Sequence, residues 1–136
     1  MLFYLIRNSR SASISAVVAS IVLAYPEKTF NIAIILFKTK EFFLYDASRL
    51  AFDQGHKNSL LLLRNSVGID TKNKIHEDER LETCDAKHRK LALENLFLNY
   101  QLFKREETSE KETEKRKTIL WQILDDYYKR LPNESE

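Results

Sequence analysis

Apolar and polar positions recur most regularly in the C-terminal half of the chain. No Gly or Pro occurs between Gly68 and Pro132, and apolar side chains, with a few polar ones in register, return there at spacings of three and four. Such spacing keeps side chains on one face of a helix. The pattern predicts a helix that begins near residue 77 and carries two stripes. The first stripe is Leu81, Cys84, His88, Leu91, Asn95, Leu98 and Leu102, and the second is Leu93, Leu96, Tyr100 and Phe103.

A last helix is predicted before Pro132, with apolar positions spaced 4-3-4 at Leu120, Leu124, Tyr127 and Leu131. Residues 104–117, which lie between the two helices, contain no apolar side chain. Ser109 and Glu112 match a capping box, which would begin a new helix there. The alternative is one continuous helix across this segment. It would be stabilised by i,i+4 ion pairs between Glu107 and Lys111 and between Glu112 and Arg116.

We favour a helical hairpin over residues 77–131 to one continuous helix. An apolar stripe needs a partner to cover it, and folding back supplies that partner within the chain. A turn near Thr108 would bring Tyr127 close to His88 and Leu131 close to Cys84. A polar connection over residues 67–76 precedes the hairpin, and residues 132–136 form a tail.

Residues 1–66 are predicted to form apolar helices. The first clear one runs from Ser13 to Ala24, with Ser11 or Ser13 as its cap. Pro26 suits the first turn of the next helix, although the apolar run 32–37 would also suit a buried strand. A further helix over 41–54 is expected to stop at Gly55.

The fold class predicted from these elements is all-α, an irregular helical bundle of five to six helices in one domain spanning residues 1–136. The alternative is a fragment of a helical solenoid. It depends on a repeated pattern, Leu-Ile-Arg-Asn-Ser at 5–9 and Leu-Leu-Arg-Asn-Ser at 62–66. Helical solenoids repeat at roughly 40 to 47 residues.

Composition excludes several classes of function. The 136 residues include Gly 2 and Pro 2, too few glycines for a Walker loop, a dinucleotide-binding fingerprint or a nucleophile elbow. A net charge of +2 is too small to indicate a nucleic-acid partner, which would require a clustered basic face. Nucleic acid is therefore an unlikely partner.

The single Cys84 cannot form an intramolecular disulfide and is compatible with a reducing, intracellular compartment. Residues 1–26 contain two arginines and no acidic residue, as in a mitochondrial targeting segment. We nevertheless favour buried core for residues 1–37, and a targeting segment or a membrane anchor are the alternatives. Ser11–Tyr25 is short of the roughly 20 apolar residues that a membrane span needs.

Candidate chemistry is sparse. Cys84 and His88 lie four apart, a spacing at which both can bind one metal, but a structural zinc site needs two more ligands. His76 and Glu77 begin a zincin motif whose second histidine is replaced by Arg80. We therefore predict no catalytic residue, no cofactor and no metal site, and keep a small helical enzyme as a less favoured class.

The remaining signal is aromatic. Trp121, Tyr127 and Tyr128, together with Tyr100 and Phe103, are the candidate interaction surface, because exposed Trp and Tyr dominate binding energy. For Trp121 itself, packing in the core is the favoured expectation, and a place on the interaction surface is the alternative. The sequence thus predicts a non-enzymatic protein–protein interaction module, a subunit or fragment of a larger assembly, that binds a protein partner or a second copy. The alternative is a membrane-associated or organelle-imported protein.

Overall fold

The computed structural model describes residues 1–9, 11–66, 71–103 and 108–131, and all regular structure within these ranges is helical. The prediction of an all-α fold is confirmed. The helices are α1 (Leu2–Asn8), α2 (Ala12–Ala24), α3 (Phe30–Phe37), α4 (Lys40–Ser66), α5 (Thr71–Cys84), α6 (Lys87–Lys90), α7 (Leu93–Leu102) and α8 (Glu110–Lys129).

Helix α2 lies at the centre of the fold. It contacts α1, α3 and α4, and also α6 and α7, which are remote from it in sequence. Within the described residues, α2 therefore packs both against helices near it in sequence and against helices more than sixty residues further on. The buried face of α2 consists of Val18, Ala19, Val22 and Leu23.

Phe37 is the centre of an aromatic cluster in the core. Its side chain is fully buried, and its ring meets that of Phe97 edge-on with 5.0 Å between centroids. The ring of Phe43 stacks on it at 5.9 Å. Phe30, one end of α3, meets Tyr100 edge-on at 5.0 Å. Aromatic pairs in these geometries add about 0.5 to 1.5 kcal/mol beyond the area they bury.

The segment 32–37, which also suited a strand, is helical and belongs to α3. This helix begins at Phe30 and not at Pro26, since residues 26–28 form a turn and Thr29 is the N-cap of α3. The Thr29 hydroxyl lies 2.7 Å from the Tyr25 carbonyl and 3.4 Å from that of Val22. Carbonyls at the end of a helix have no partner within the helix, and this buried hydroxyl satisfies them.

Helix α4 continues through Gly55 to Ser66, so the predicted stop at Gly55 is wrong. A glycine that ends a helix adopts positive φ, and Gly55 does not. The predicted polar connection over 67–76 is also shorter than expected. Residues 71–76 belong to α5, and 67–70 lie outside the described residues.

The predicted first arm of the hairpin is divided into α5, α6 and α7, which raises the number of helices above the expected five to six. The cause lies on α4. An Asp46 oxygen accepts a hydrogen bond of 2.6 Å from the Leu93 backbone N–H, and Arg49 donates one of 2.6 Å to the Leu91 carbonyl. These side chains replace the helical partners that the backbone loses at the break.

Helices α7 and α8 pack as an antiparallel pair. Phe30 lies against Tyr100 and Arg116, while Phe37 lies against Phe97 and accepts a hydrogen bond from Tyr127. Ser109 is the N-cap of α8, and its side chain accepts from the Glu112 N–H at 3.3 Å. The new helix start is therefore confirmed. The Glu112–Arg116 pair is present at 3.5 Å, and Glu107 lies outside the described residues.

Two expected contacts of the hairpin are absent. Tyr127 does not bond to His88, since its hydroxyl donates to the Phe37 carbonyl at 2.8 Å. Leu131 is exposed, whereas Cys84 is buried, so Leu131 does not cover Cys84. The break between α5 and α7 removes the long helix on which both contacts depended.

Candidate interaction surface

Helix α8 is amphipathic and presents its inner face to the core. Leu120 and Ile123 are buried there. Near its N-terminus, the Arg116 guanidinium lies 4.7 Å from the centre of the Phe30 ring and forms a 3.0 Å ion pair with Glu27. A cation over an aromatic face is attracted to the ring. These contacts fix which face of α8 turns outward.

Trp121 and Tyr128 lie on the outward part of α8. Their side chains are 59% and 78% exposed. Residues seven apart share a helix face, about 10.5 Å apart along the axis. The expectation that Trp121 packs in the core is therefore wrong. We call Trp121 and Tyr128 the α8 aromatic surface, with the exposed Asp125 between them.

The other predicted members of the aromatic surface are placed elsewhere. Tyr100 is only 4% exposed and its hydroxyl donates to the Pro26 carbonyl at 2.5 Å, so it belongs to the core. Tyr127 is partly buried and bonded to Phe37. Phe103 is exposed, at the C-cap of α7. Of the five predicted residues, the structure brings Trp121 and Tyr128 together on one outward helix face.

Tyr127 and Tyr128 show how differently adjacent residues are used. Burial raises the pKa of the Tyr127 phenol above its ordinary value of 10.0, and the Glu41 carboxylate raises it further. A buried phenolate lacks the hydration that water would supply. Tyr127 is a structural residue, whereas Tyr128 is available for contact.

A polar cluster on α4 forms the other notable arrangement of charge. Arg49 bonds to Asp46 at 2.6 Å and to Asp53 at 2.9 Å. Asp46 is almost completely buried, and its second oxygen holds the start of α7. Because Arg49 also donates to the backbone near α7, the whole cluster joins α4 to the α6–α7 connection. The polar partners of Asp46 and Arg49 are thus structural.

Sequence reasoning missed this cluster. Its signal is the spacing of Asp46, Arg49 and Asp53, three and four apart on one face of a helix whose other residues are partly apolar. That spacing predicts an ion pair but not its burial. The partners of the pair in the α6–α7 connection lie some forty residues further on, and no local pattern points to them.

The suggested metal pair is separated by the helix break. Cys84 is the buried end of α5, and His88 belongs to α6, so the two no longer occupy i,i+4 positions of one helix. His56 and His76 are both exposed. Among the described residues, no group of three or more His, Cys, Asp or Glu side chains is close enough to hold a metal ion.

Within the basic run 87–90, Lys90 takes part in an ion-pair network. Asp85 accepts from Lys57 of α4 and from Lys90 of α6, each at 2.6 Å. Those two lysines hold the pKa of Asp85 down to about 2, from an ordinary 3.8. Arg89 takes no part in this network.

Comparison with protein-family models and with curated proteins gives no match. Within the described ranges, no helix combines the length and the apolar character that crossing a membrane requires. The surfaces of this chain are therefore the features that bear on its function.

Proposed function

We propose that the chain is a non-enzymatic helical module that binds another protein, either a different chain or a second copy, within a larger assembly. The observation that carries the proposal is the α8 aromatic surface. Trp and Tyr are enriched among the residues that contribute most of the binding energy when a partner covers them. Trp121 and Tyr128 provide two such anchors.

The arrangement around the anchors resembles the anatomy of interfaces in general. Interfaces have an apolar centre enriched in Trp and Tyr and a polar rim. On α8, the exposed polar residues beside the anchors are Thr118 and Gln122, and the exposed Asp125 lies between the anchors. The helix itself is held in place by its buried face, so a partner would meet a preformed surface and little ordering cost would oppose binding.

Burial of the N-terminal helices favours this proposal over the alternative of an anchor or a targeting segment in residues 1–37. Val18, Val22, Leu36 and Phe37 are all completely buried within the bundle. Removing them would leave α7 and α8 without most of their core. The alternative predicts membrane pelleting that survives high salt, or a mature chain that lacks its start.

Site-specific photo-crosslinking tests the proposal. A photoreactive benzoylphenylalanine at position 128, in the full chain expressed in its native cells, is expected to form a discrete adduct with a protein. The matched control places the same group at Lys115, an exposed position of α8 on another part of its circumference. A Trp121→Glu substitution is expected to abolish the adduct at 128.

The alternative outcomes are equally defined. Equal adducts at 128 and 115, or an adduct at 128 that persists with Trp121→Glu, would mean that the α8 aromatic surface is not a specific contact. An adduct of twice the chain mass identifies a second copy as the partner. An adduct of any other mass identifies a different protein.

A further inference from the structure

A groove runs along α2 on a side of the molecule distinct from the α8 aromatic surface. It consists of two cavities of about 360 and about 470 Å³. Both are lined by Ala16, Arg49 and Asp53, so they adjoin at the middle of the helix. Together they follow α2 from Ala12 to Ala24, about 18 Å at 1.5 Å per residue. We call this feature the α2 groove.

One end of the α2 groove is apolar. Its floor consists of small residues of α2, including Ala12 and Ala19, and its opposite wall is formed by Phe42, Tyr45 and Phe52 of α4. Tyr45 and Phe52 are exposed despite their size. Small residues let a second backbone approach closely, and the aromatic wall offers area for apolar anchors.

The other end of the α2 groove combines apolar side chains with the guanidinium of Arg89. Val17, Ile21 and Tyr25 face His88 and Arg89 of α6 across it. Val17 and Tyr25 are also exposed. The apolar surface therefore continues along the full length of the groove. Arg49 and Asp53, which form an ion pair, line both cavities, and Arg89 adds a positive charge at this end only.

The two arginines that line this second cavity differ in their partners. Arg49 is held by two carboxylates and by two backbone carbonyls. Arg89 is partly buried, and in the part of the chain that the structure describes no carboxylate lies within ion-pair distance of it. A partly buried guanidinium without a counter-ion favours an anionic ligand, because a charge-assisted bond would restore what burial removes.

We propose that the α2 groove binds an acidic amphipathic helix of another protein, with a carboxylate of that helix on Arg89 and its apolar side chains along α2 and α4. The length of the groove fits three to four helical turns, and its open, two-walled form fits the mode in which anchors at i, i+3/i+4 and i+7 enter a groove. The charge at one end sets the direction of the bound helix. This site is separate from the α8 aromatic surface.

Peptide display tests the proposal on the full chain. The probe is a displayed library of helix-favouring peptides, roughly 14 residues long to span the groove, sorted for binding to the labelled protein. Sequences with apolar residues at helical spacing and Asp or Glu near one end are expected. The best of them is then synthesised and titrated by fluorescence anisotropy.

Two substitutions locate the site. Arg89→Glu is expected to weaken binding of the acidic peptide about tenfold or more, in the range measured for close charge pairs. Ala16→Leu, which fills the point where the two cavities adjoin, is expected to abolish it. Lys115→Glu is the control for the change in charge, and Trp121→Glu is the control for the other surface. Both controls are expected to bind normally.

A charge-reversed peptide distinguishes loss of the Arg89 contact from a folding defect in the Arg89→Glu protein. A peptide with its Glu replaced by Lys is expected to bind the Arg89→Glu protein better than the original protein. No enrichment, neutral or basic winners, or binding that survives Ala16→Leu would overturn the proposal. Loss of binding with Trp121→Glu alone would move the site to α8. Displacement of the peptide by dodecanoate at low concentration would instead indicate a small amphipathic anion as the occupant.

Discussion

Helices α3 and α8 each carry two large aromatic side chains seven residues apart, and they use them in opposite ways. Phe30 and Phe37 of α3 are 6% and 0% exposed, whereas Trp121 and Tyr128 of α8 are largely exposed. The residues between the two phenylalanines are apolar apart from Asn31, while Gln122, Asp125 and Asp126 separate the pair on α8. The spacing alone therefore does not decide burial. The polarity of the flanking positions decides burial, because a helix that is apolar around its whole circumference is buried, whereas a helix with a polar face exposes that face.

The largest expected effect is on the buried side of this comparison. Phe37→Ala is expected to lower the free energy of unfolding by about 3 to 5 kcal/mol, because it removes the centre of the aromatic cluster and leaves a cavity. Trp121→Ala, a change of similar size on α8, is expected to cost about 0.5 kcal/mol or less. Urea titration followed by circular dichroism measures both. Equal losses would remove the distinction between the two helices.

The same distinction is expected for carboxylates. Asp46→Ala should lower the free energy of unfolding by about 3 kcal/mol, because it leaves Arg49 partly unpaired and removes the partner of the Leu93 N–H. Asp125→Ala, at an exposed position, should change it by about 0.5 kcal/mol at most. Thermal and urea unfolding of the two variants test this pair. A mild effect of Asp46→Ala would show that the α6–α7 connection is held by other contacts.

Adjacent tyrosines give a closer comparison. Tyr127→Phe removes the hydrogen bond to the Phe37 carbonyl and is expected to cost about 1 kcal/mol, while Tyr128→Phe is expected to be neutral. The raised pKa of Tyr127 means that the folded state holds this proton more tightly. The contribution of the protonated Tyr127 phenol to stability is complete below pH 10.0 and is lost as the pH rises through the pKa of Tyr127 in the folded state.

Measuring the free energy of unfolding at increasing alkaline pH checks the predicted direction of this pH dependence. The original chain and Tyr128→Phe are expected to lose stability above pH 10.0 more steeply than Tyr127→Phe, which lacks the buried phenol. Identical alkaline slopes for all three chains would mean that the Tyr127 hydroxyl is as accessible in solution as that of Tyr128.

The smallest expected effect concerns Gly55, at an exposed position in the middle of α4. Gly55 lies within α4 with ordinary helical φ, and a Cβ built on it meets nothing within 4 Å. Gly55→Ala is therefore expected to raise the free energy of unfolding by roughly 0.5 to 1 kcal/mol. The melting temperature measures this gain. A loss of stability would show that α4 bends or ends near Gly55 in solution.

Local signals in the sequence predicted the features that depend on neighbours along the chain. Helix α2 followed from apolar periodicity, while its N-cap Ser11 makes no cap hydrogen bond through its side chain. The start of α8 followed from the capping residue Ser109. The break before Leu93 did not, because the side chains that stabilise it come from α4. The predicted stop at Gly55 is wrong for a different, local reason. The apolar run at 60–63 continues the helix and outweighs the effect of one glycine.

The candidate surface was predictable only in part. Tyr100 and Trp121 both lie on helices with apolar stripes, and the spacing of those stripes alone does not distinguish core from surface. Tyr100 is drawn inward by the Pro26 carbonyl and the Phe30 ring, both more than sixty residues earlier. Trp121 directly follows the buried Leu120 but lies about 100° further around the helix, where it is exposed. Such assignments depend on long-range partners that periodicity does not contain.

Acrylamide quenching of Trp121 tests the central claim most directly, because it is the only tryptophan in the chain. The measurement uses the monomer fraction isolated by size exclusion with light scattering, in buffer without detergent. An outward α8 aromatic surface predicts quenching close to that of the urea-unfolded chain. A fluorescence that is shielded in the folded monomer and becomes accessible only on unfolding would place Trp121 in the core and contradict the proposed interaction surface.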